Sequence, residues 1–256
     1  MLKPKKSLGQ NFLRDKNIIL KIVSSLQSPA DSKVFEIGPG DGALTAHLLD
    51  KYPALQVIEI DSRAVELLQE KFPKLSVIQQ DIRKTDWHDL ILANEKAAVI
   101  GNLPYYITSQ ILFSVLDNGH LFSEAVFMMQ KEVAERVVAK HGNKTYGILS
   151  VQSQILSECE ILFNVSPNVF EPKPKVDSAV VRFVPKELEK DFKVDVFKTI
   201  VRTAFNQRRK KLSNALKGLS GMENMPEDFA NKRAEALRPE DYVLLTKWYQ
   251  NECLHT

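Results

Sequence analysis

The chain has few cysteines and no long apolar run, and each absence excludes a class of protein. Its 256 residues include two cysteines, Cys159 and Cys253, and no Cys-x-x-Cys pair, so neither a disulfide framework nor a zinc knuckle is expected. No apolar stretch approaches the roughly 18 residues of a membrane span, and the basic N-terminus lacks the apolar segment of a secretory signal. We therefore expect a cytoplasmic protein with no membrane segment and no metal site.

Basic charge is concentrated in two stretches of an otherwise acidic chain. The net charge is only +3, yet residues 1–16 sum to +4 and residues 202–217, which contain no acidic residue, sum to +6. The remainder of the chain is therefore negative. Two basic runs on such a chain are typical of a protein that binds a polyanion. Taken singly, either run is better interpreted as a solvated helix face, and only the two together make polyanion binding an equal alternative.

Strands and helices alternate along the first 186 residues. The strands are apolar throughout, which predicts a parallel sheet buried on both faces. A short, proline-rich loop at 166–175 joins the last two strands, so these should pair antiparallel. After Pro185 the pattern is purely helical, with helices predicted over 194–206, 208–216, 227–237 and 240–249. We therefore predict a doubly wound α/β domain over 1–186 and a small helical domain over 187–256. The predicted strands are 33–38, 55–61, 75–81, 97–102, 124–130, 160–165 and 177–184.

Three features at successive strand ends predict a site for an adenosine-containing ligand. The turn EIGPGDGALT at 36–45 lets a ligand approach the backbone at Gly38 and Gly40, although a tight turn alone would look the same. Glu59 ends the second strand, where a carboxylate accepts hydrogen bonds from ribose hydroxyls. Asp81 ends the third strand, where it can accept from an adenine amino group. A single acid at a strand end is often just a cap, but two acids after a glycine turn favour a ligand site.

The stretch GNLPYYITS at 101–109 combines hydrogen-bond acceptors with aromatic rings. Asn102 ends the fourth strand, and its side-chain oxygen and the Leu103 carbonyl can both accept hydrogen bonds. Pro104 has no N–H group, and Tyr105 offers a flat face. Such a turn suits the exocyclic amino group of a planar base. The alternative is a strand-ending turn with a tyrosine in the core.

Together these motifs resemble those of a known enzyme family. NLPY after the fourth strand is the motif of Rossmann-like amino-methyltransferases. With KKSLGQNFL at 5–13, VIEID at 57–61, FEPKPKVDSAVVRF at 170–183 and QRRKKLSNAL at 207–216, the chain closely resembles the KsgA-type small-subunit ribosomal RNA adenine dimethyltransferases. The resemblance spans almost the whole chain. It implies a class I methyltransferase sheet, mostly parallel with its last strand antiparallel, and an all-helical C-terminal domain.

The resemblance also implies a cofactor and the residues that bind it. The methyl donor would be S-adenosylmethionine. Asn11 and Leu13 would fold over its methionine part, Gly38 would let the backbone approach it, and Glu59 and Asp81 would hold its ribose and adenine.

The implied reaction is N6,N6-dimethylation of two neighbouring adenosines near the 3′ end of 16S rRNA in the small ribosomal subunit or its precursor. Asn102, with the Leu103 or Pro104 carbonyl, would hold the target amine, Tyr105 would stack on the base, and Phe170 would approach it from the other side. In one respect the chain departs from the family: bacterial members commonly read NLPYN, and Tyr106 stands at the last position.

The basic C-terminal stretch is predicted to contact RNA phosphates, and the protein is expected to be a monomer. The predicted contacts are Arg208, Arg209, Lys210 and Lys211.

Three other functions remain open on the sequence. An Erm-type methyltransferase acting on 23S rRNA shares NLPY, although the basic tail and PKVDSAVV favour the small-subunit enzyme. A non-catalytic ribosome-assembly or transcription factor could use the same scaffold. An NAD-dependent dehydrogenase shares the glycine turn, but it has no use for Asp81 or for NLPY.

Overall fold

The computed structural model describes residues 2–5 and 8–253, which form two compact units. The first unit comprises Met1–Ala134 and Cys159–Pro185, and the second comprises Glu135–Glu158 and Lys186–Thr256. The sequence-based division placed 135–158 in the first domain, and here the structure differs. The reason is that Val151 and Ile155 in this segment belong to the apolar core of the helical unit.

The first unit is built on a seven-stranded sheet in the order β4-β3-β2-β5-β6-β9-β7. Strands β2, β3, β4, β5 and β6 pair parallel with one another, whereas β9 runs antiparallel to β6. The predicted mostly parallel sheet with an antiparallel last strand is therefore confirmed. Their bounds are β2 Lys33–Ile37, β3 Gln56–Glu59, β4 Ser76–Gln79, β5 Ala97–Asn102, β6 Phe122–Gln130, β7 Ser157–Val165 and β9 Ser178–Pro185.

Strand β5 lies at the centre of this sheet and forms where the sequence predicts it. All four residues from Ala97 to Ile100 are fully buried, because neighbouring strands and the helices on both faces cover it. Helices α1 Lys16–Ser25, α2 Thr45–Lys51, α3 Ser62–Lys71, α4 Trp87–Leu90, α5 Thr108–Asp117 and α6 Lys131–Val137 follow the strands in chain order.

A short N-terminal strand belongs to a separate, two-stranded sheet of the first unit. Strand β1 Phe12–Leu13 pairs antiparallel with β8 Phe170–Glu171, and Leu13 lies opposite Phe170 in the register. Helix α3 begins with a cap at Asp61, whose side chain accepts from the Arg63 N–H.

The second unit is helical, as predicted, but two predicted helices are shorter: of 227–237, only Glu227–Ala230 is α-helical, with a 3-10 turn at Ala234–Ala236. Residues 208–216 were predicted to be helical, and only Leu212–Ala215 are. Lys211 pairs with Arg233 in an isolated β-bridge, which holds the chain extended before that helix. The helices are α7 Ile148–Leu156, α8 Val194–Asn206, α9 Leu212–Ala215, α10 Glu227–Ala230 and α11 Pro239–Cys253.

A search of the described helices finds none with the length and apolar character needed to cross a membrane.

Candidate active site

A pocket opens at the carboxyl edge of the sheet, where β2, β3, β4 and β5 end side by side. Ligands bind at this edge in open α/β sheets. Residues 8–13, which include β1, line the same pocket. We call residues 8–14 the N-terminal arm. The pocket brings together ten of the eleven residues predicted from the sequence for the cofactor and the target base: Asn11, Leu13, Gly38, Gly40, Glu59, Asp81, Asn102, Leu103, Pro104 and Tyr105.

Phe170 is the predicted site residue that the pocket lacks. It is only 3% exposed and packs in the core of the first unit, opposite Leu13. Its register partner Leu13 does line the pocket. The approach of Phe170 to the target base stays a prediction.

Gly38 and Gly40 in the β2–α2 turn have different tasks. Both have a positive φ, +65° and +58°, which favours glycine. A Cβ at Gly38 would meet no atom within 4 Å, so its backbone faces the open pocket. A Cβ at Gly40 would lie 3.0 Å from the ring of Phe12. Gly38 thus leaves room for a ligand, whereas Gly40 leaves room for the N-terminal arm.

Glu59 is held rigidly at the end of β3. Its side chain is nearly buried, with an exposed fraction of 6%. One carboxylate oxygen accepts from the N–H groups of Ile60 and Asp61, both at 2.9 Å, and the other accepts from the Gly40 N–H at 3.1 Å. Burial raises the pKa of Glu59, and these backbone donors oppose the shift. Both oxygens are fixed, and of the roughly four acceptor positions of a carboxylate one remains for a further donor.

Ile60, next to Glu59, is an apolar side chain left 47% exposed on the pocket. An exposed isoleucine at a pocket wall offers a surface that a flat, partly apolar ligand would cover. Sequence reasoning did not single it out, although it directly follows the predicted ribose-binding acid.

Asp81 acts as a cap at the end of β4. Its carboxylate accepts from the Arg83 backbone N–H at 3.0 Å and from the Arg83 guanidinium at 2.6 to 3.1 Å. The Arg83 hydrogen bonds lower the pKa of Asp81, so the group is charged at neutral pH. These four hydrogen bonds match the roughly four acceptor positions of a carboxylate, so a ligand amino group would have to replace one of the hydrogen bonds from Arg83.

Asn102 is oriented by the N-terminal arm. Its side-chain Nδ2 donates to the backbone carbonyl of Asn11 at 3.1 Å. Because the amide nitrogen is used in this way, the amide oxygen Oδ1 is the end left to accept a hydrogen bond.

The turn after Asn102 distinguishes between two candidate carbonyls. The Pro104 carbonyl already accepts from the Ile107 N–H at 3.2 Å and from the Thr108 hydroxyl at 3.0 Å. None of the hydrogen bonds among the described residues uses the Leu103 carbonyl. Leu103 O and Asn102 Oδ1 are therefore the two free acceptors of this turn.

Tyr105 is fixed beside these acceptors. Its hydroxyl forms a 2.8 Å hydrogen bond with Ser178 Oγ. Burial raises the pKa of Tyr105, and the hydrogen bond to Ser178 partly offsets the shift, so the ring is a neutral phenol at working pH. Ser178 anchors the ring and was not predicted, since its partner lies 73 positions away.

Asp61 binds the side chains of Lys5 and Gln10 near the N-terminus, another role that the sequence did not reveal. Its buried carboxylate accepts from Lys5 Nζ and Gln10 Nε2, each at 3.1 Å, and from Arg63 Nη2 at 2.6 Å. The Arg63 hydrogen bonds, followed by those from Lys5 and Gln10, lower the pKa of Asp61. Residues 6 and 7 of the predicted basic N-terminal run lie outside the described residues.

Glu36 is a buried carboxyl group in β2 that sequence reasoning also passed over. It is almost fully buried, and its Oε2 accepts from the Thr45 hydroxyl at 2.6 Å. Burial raises the pKa of Glu36 to about 8, with the Thr45 bond opposing the shift and the charge of Glu59 adding to it. The sequence did contain a signal for this buried carboxyl group, because Glu36 is an acidic residue inside an otherwise apolar strand.

Replacing Glu36 by Gln should make stability less dependent on pH. The pKa of Glu36 is higher in the folded chain, about 8, than its ordinary value of 4.5. Its stabilising contribution is therefore complete below about pH 4.5 and is lost as the pH rises towards 8. In the wild type, the free energy of unfolding should fall across this range more steeply than in Glu36→Gln. Urea denaturation at pH 5.5 and 8 measures both slopes, and equal slopes would contradict the assignment.

The predicted RNA-contacting run has two kinds of basic residue. Arg208 is engaged: its guanidinium pairs with Glu235 and donates to the carbonyls of Asn143 and Lys144. Lys211 donates to Asn231 Oδ1 at 3.1 Å. Arg209 and Lys210 are exposed and have no ion pair within the described part of the chain. Contact of this run with RNA stays a prediction.

The described residues contain no cluster of three or more His, Cys, Asp or Glu side chains that could hold a metal ion.

Comparison with known proteins assigns the family. The family model described as "Ribosomal RNA adenine dimethylase" matches residues 1–251. The chain is 47% identical to ribosomal RNA small subunit methyltransferase A of Salinibacter ruber over 96% of this chain and 84% of that protein.

Two solved structures extend the comparison to the fold. A dimethyladenosine transferase from Plasmodium falciparum aligns with a TM-score of 0.80 and 26% identity, covering 94% of this chain and 98% of that one. The 23S rRNA methyltransferase ErmE aligns with a TM-score of 0.69 and 27% identity, covering 93% and 98%. The family model covers nearly the whole chain, and the chain therefore belongs to the ribosomal RNA adenine dimethylase family.

Proposed function

We propose that this protein transfers methyl groups from S-adenosylmethionine to the N6 atoms of two adjacent adenosines near the 3′ end of 16S rRNA, in the small ribosomal subunit or its precursor. The observation that carries the proposal is the pair of free acceptors, Asn102 Oδ1 and Leu103 O, beside the fixed ring of Tyr105. They share one pocket with the glycine turn and two strand-end acids.

The residues of the pocket fit S-adenosylmethionine. Glu59 presents a rigid carboxylate for the ribose hydroxyls, Ile60 an exposed apolar wall, and Asp81 a charged acceptor for the adenine amino group. The open backbone at Gly38 leaves room for the ligand, and Asn11 lines the side formed by the N-terminal arm. When bound, this cofactor supplies an electrophilic methyl group on a positively charged sulfur.

Residues of the pocket would compensate for the weak nucleophilicity of the target nitrogen, N6. The lone pair of adenine N6 is delocalised into the ring, so the nitrogen attacks poorly. Hydrogen bonds from its two N–H groups to Asn102 Oδ1 and Leu103 O would localise that lone pair and fix its direction. Tyr105 would stack on the base, which must leave its helix to enter the pocket.

Catalysis on this account consists of positioning and electrostatics. None of the described residues that line the pocket is a histidine, and Tyr105 holds its proton at neutral pH because burial raises its pKa. The acceptor oxygens need no protonation change to act. Transfer would form the N6–methyl bond as the methyl–sulfur bond breaks, and the nitrogen would then release one proton to water. After one transfer N6 keeps a single hydrogen, so the base must rotate or rebind before the second.

Several features support the small-subunit substrate over 23S rRNA. The relative at 47% identity is named a small subunit methyltransferase, whereas the 23S enzyme ErmE is 27% identical. The basic C-terminal run gives the chain a surface for RNA phosphates. We propose that it acts as a monomer in the cytoplasm.

The experiment is label transfer from S-adenosylmethionine to purified 30S and 50S particles that lack the modification. We expect incorporation into 30S particles alone. Incorporation into 50S particles would instead favour the Erm-type reaction, and absence of transfer to both, with 30S binding retained, would favour a non-catalytic assembly factor. Failure to bind S-adenosylmethionine would instead favour the NAD-dependent dehydrogenase.

The exposed and engaged members of the basic run should respond differently to mutation. Arg209→Ala with Lys210→Ala should weaken 30S binding and reduce its dependence on salt, because released counterions scale with phosphate contacts. Arg208→Ala should chiefly lower thermal stability, since it frees Glu235 and two carbonyls. Binding assays between 50 and 200 mM salt with parallel melting curves check both; unchanged binding by the double variant would contradict the phosphate role.

A further inference from the structure

Tyr106 is an exposed ring at the pocket that the proposed chemistry does not use. Among the described residues, six large hydrophobic side chains are exposed, and Tyr106, at 55%, is the aromatic one. Two of the six, Tyr106 and Ile60, line the pocket. Ile60 adjoins the cofactor-binding acid Glu59, whereas Tyr106 adjoins the ring proposed to hold the target base. An aromatic face left in water at this position suggests a second planar ligand.

The rings of Tyr105 and Tyr106 cannot stack on the same base. They belong to one 3-10 turn, Tyr105–Ile107. Such a turn has three residues per revolution, so consecutive side chains diverge by roughly 120°. Tyr105 is half-buried and tied to Ser178. Tyr106 therefore presents its ring at the rim of the pocket, outside the position that Tyr105 occupies.

The N-terminal arm supports one edge of the Tyr106 ring, and a cation lines the same pocket. A Cβ at Gly9 would lie 3.2 Å from Tyr106 Cδ1, so the arm backs the ring. Arg83 also lines the pocket, and Asp81 holds its partly exposed guanidinium in place through several hydrogen bonds. An exposed aromatic ring and a fixed cation in one pocket are typical of surfaces that bind single-stranded nucleic acid.

We propose that Tyr106 is a stacking platform for the RNA base next to the target adenosine. The inference rests on the proposed function, because it needs a target base in the adjoining pocket. When that base leaves its stack, its neighbour loses a stacking partner and uncovers one face. The Tyr106 ring covers that face and holds the strand while the target occupies the pocket. For a substrate with two adjacent adenosines, the platform holds one while the other is methylated.

Steady-state kinetics on 30S particles lacking the modification test this proposal. Tyr106→Ala should raise the KM for particles about 5- to 100-fold, the range expected for one lost base–aromatic stack. Tyr106→Phe keeps the ring and should stay within about twofold of the wild type. Binding of S-adenosylmethionine to Tyr106→Ala, measured by calorimetry, should be unchanged. Leu92→Ala, which removes an exposed apolar side chain away from the pocket, is the matched control and should behave as the wild type.

Three results would overturn the platform. The first is an unchanged KM for Tyr106→Ala with an active wild type, which refutes the platform and leaves the proposed function intact. The second is an equal loss in Tyr106→Phe, which assigns the effect to the hydroxyl. The third is weakened cofactor binding without a change in KM, which makes Tyr106 a cover for the cofactor. A wild type that does not methylate 30S particles refutes the proposed function itself.

Discussion

Replacing Asn102 by Ala should lower kcat for methyl transfer by about 10²- to 10³-fold, the loss typical of one preorganised hydrogen-bonding group at a reacting centre. The variant keeps the β5 backbone but loses Oδ1, one of two acceptors for the target amine. It also loses the donor to the Asn11 carbonyl, so the N-terminal arm is less well fixed. Transfer of labelled methyl to 30S particles at saturating cofactor measures the effect.

The control for Asn102→Ala is Asn17→Ala, which removes an exposed amide on α1 and should retain full activity. A melting temperature close to that of the wild type would show that Asn102→Ala is folded. Near-normal methyl incorporation by a folded Asn102→Ala would refute the assignment of Asn102 to the target amine.

Replacing Glu59 by Gln should weaken S-adenosylmethionine binding by about 10- to 1000-fold. Hydrogen bonds to a charged group contribute about 1.5–3 kcal/mol each, and Gln lacks the charge. Three backbone N–H groups surround the carboxylate of Glu59, two at one oxygen and one at the other. Whichever way the Gln amide turns, its NH₂ faces at least one of these donors, so the side chain cannot keep its position.

Calorimetric titration with S-adenosylmethionine gives the affinity of Glu59→Gln directly. Glu66→Gln, an exposed acid on α3, is the matched control, and we expect it to bind as the wild type does. Wild-type affinity in Glu59→Gln would mean that the ligand is held elsewhere in the pocket and would remove the basis for placing its ribose at β3.

Local patterns were sufficient for the sheet and for most of the pocket. Strand β5 is an apolar run ending in a polar residue, and the structure places it at 97–102 as predicted. Because parallel strands end at a common edge, Glu59 and Asp81 could be placed together from their positions alone, and both line the pocket. These features depend on short-range periodicity and on one rule of topology.

The features that the sequence did not reveal depend on long-range contacts. Phe170 is buried, and it pairs with Leu13, which lies 157 positions earlier in the chain. The motif VIEID includes Asp61 but does not reveal the hydrogen bond that Asp61 accepts from Lys5, because the two residues are far apart in the sequence. The helix predicted over 208–216 was wrong at its start because Lys211 pairs with Arg233. None of these partners can be identified from a local sequence pattern.

The central claim, that this pocket dimethylates two adjacent adenosines of the small-subunit RNA, is tested most directly by mapping the product. Unmodified 30S particles would be treated with the wild-type protein and S-adenosylmethionine, and nuclease fragments of the RNA analysed by mass spectrometry. The account predicts two neighbouring N6,N6-dimethyladenosines near the 3′ end of 16S rRNA, absent after treatment with Asn102→Ala. Methyl groups on any other atom or base, or an identical pattern from Asn102→Ala, would contradict it.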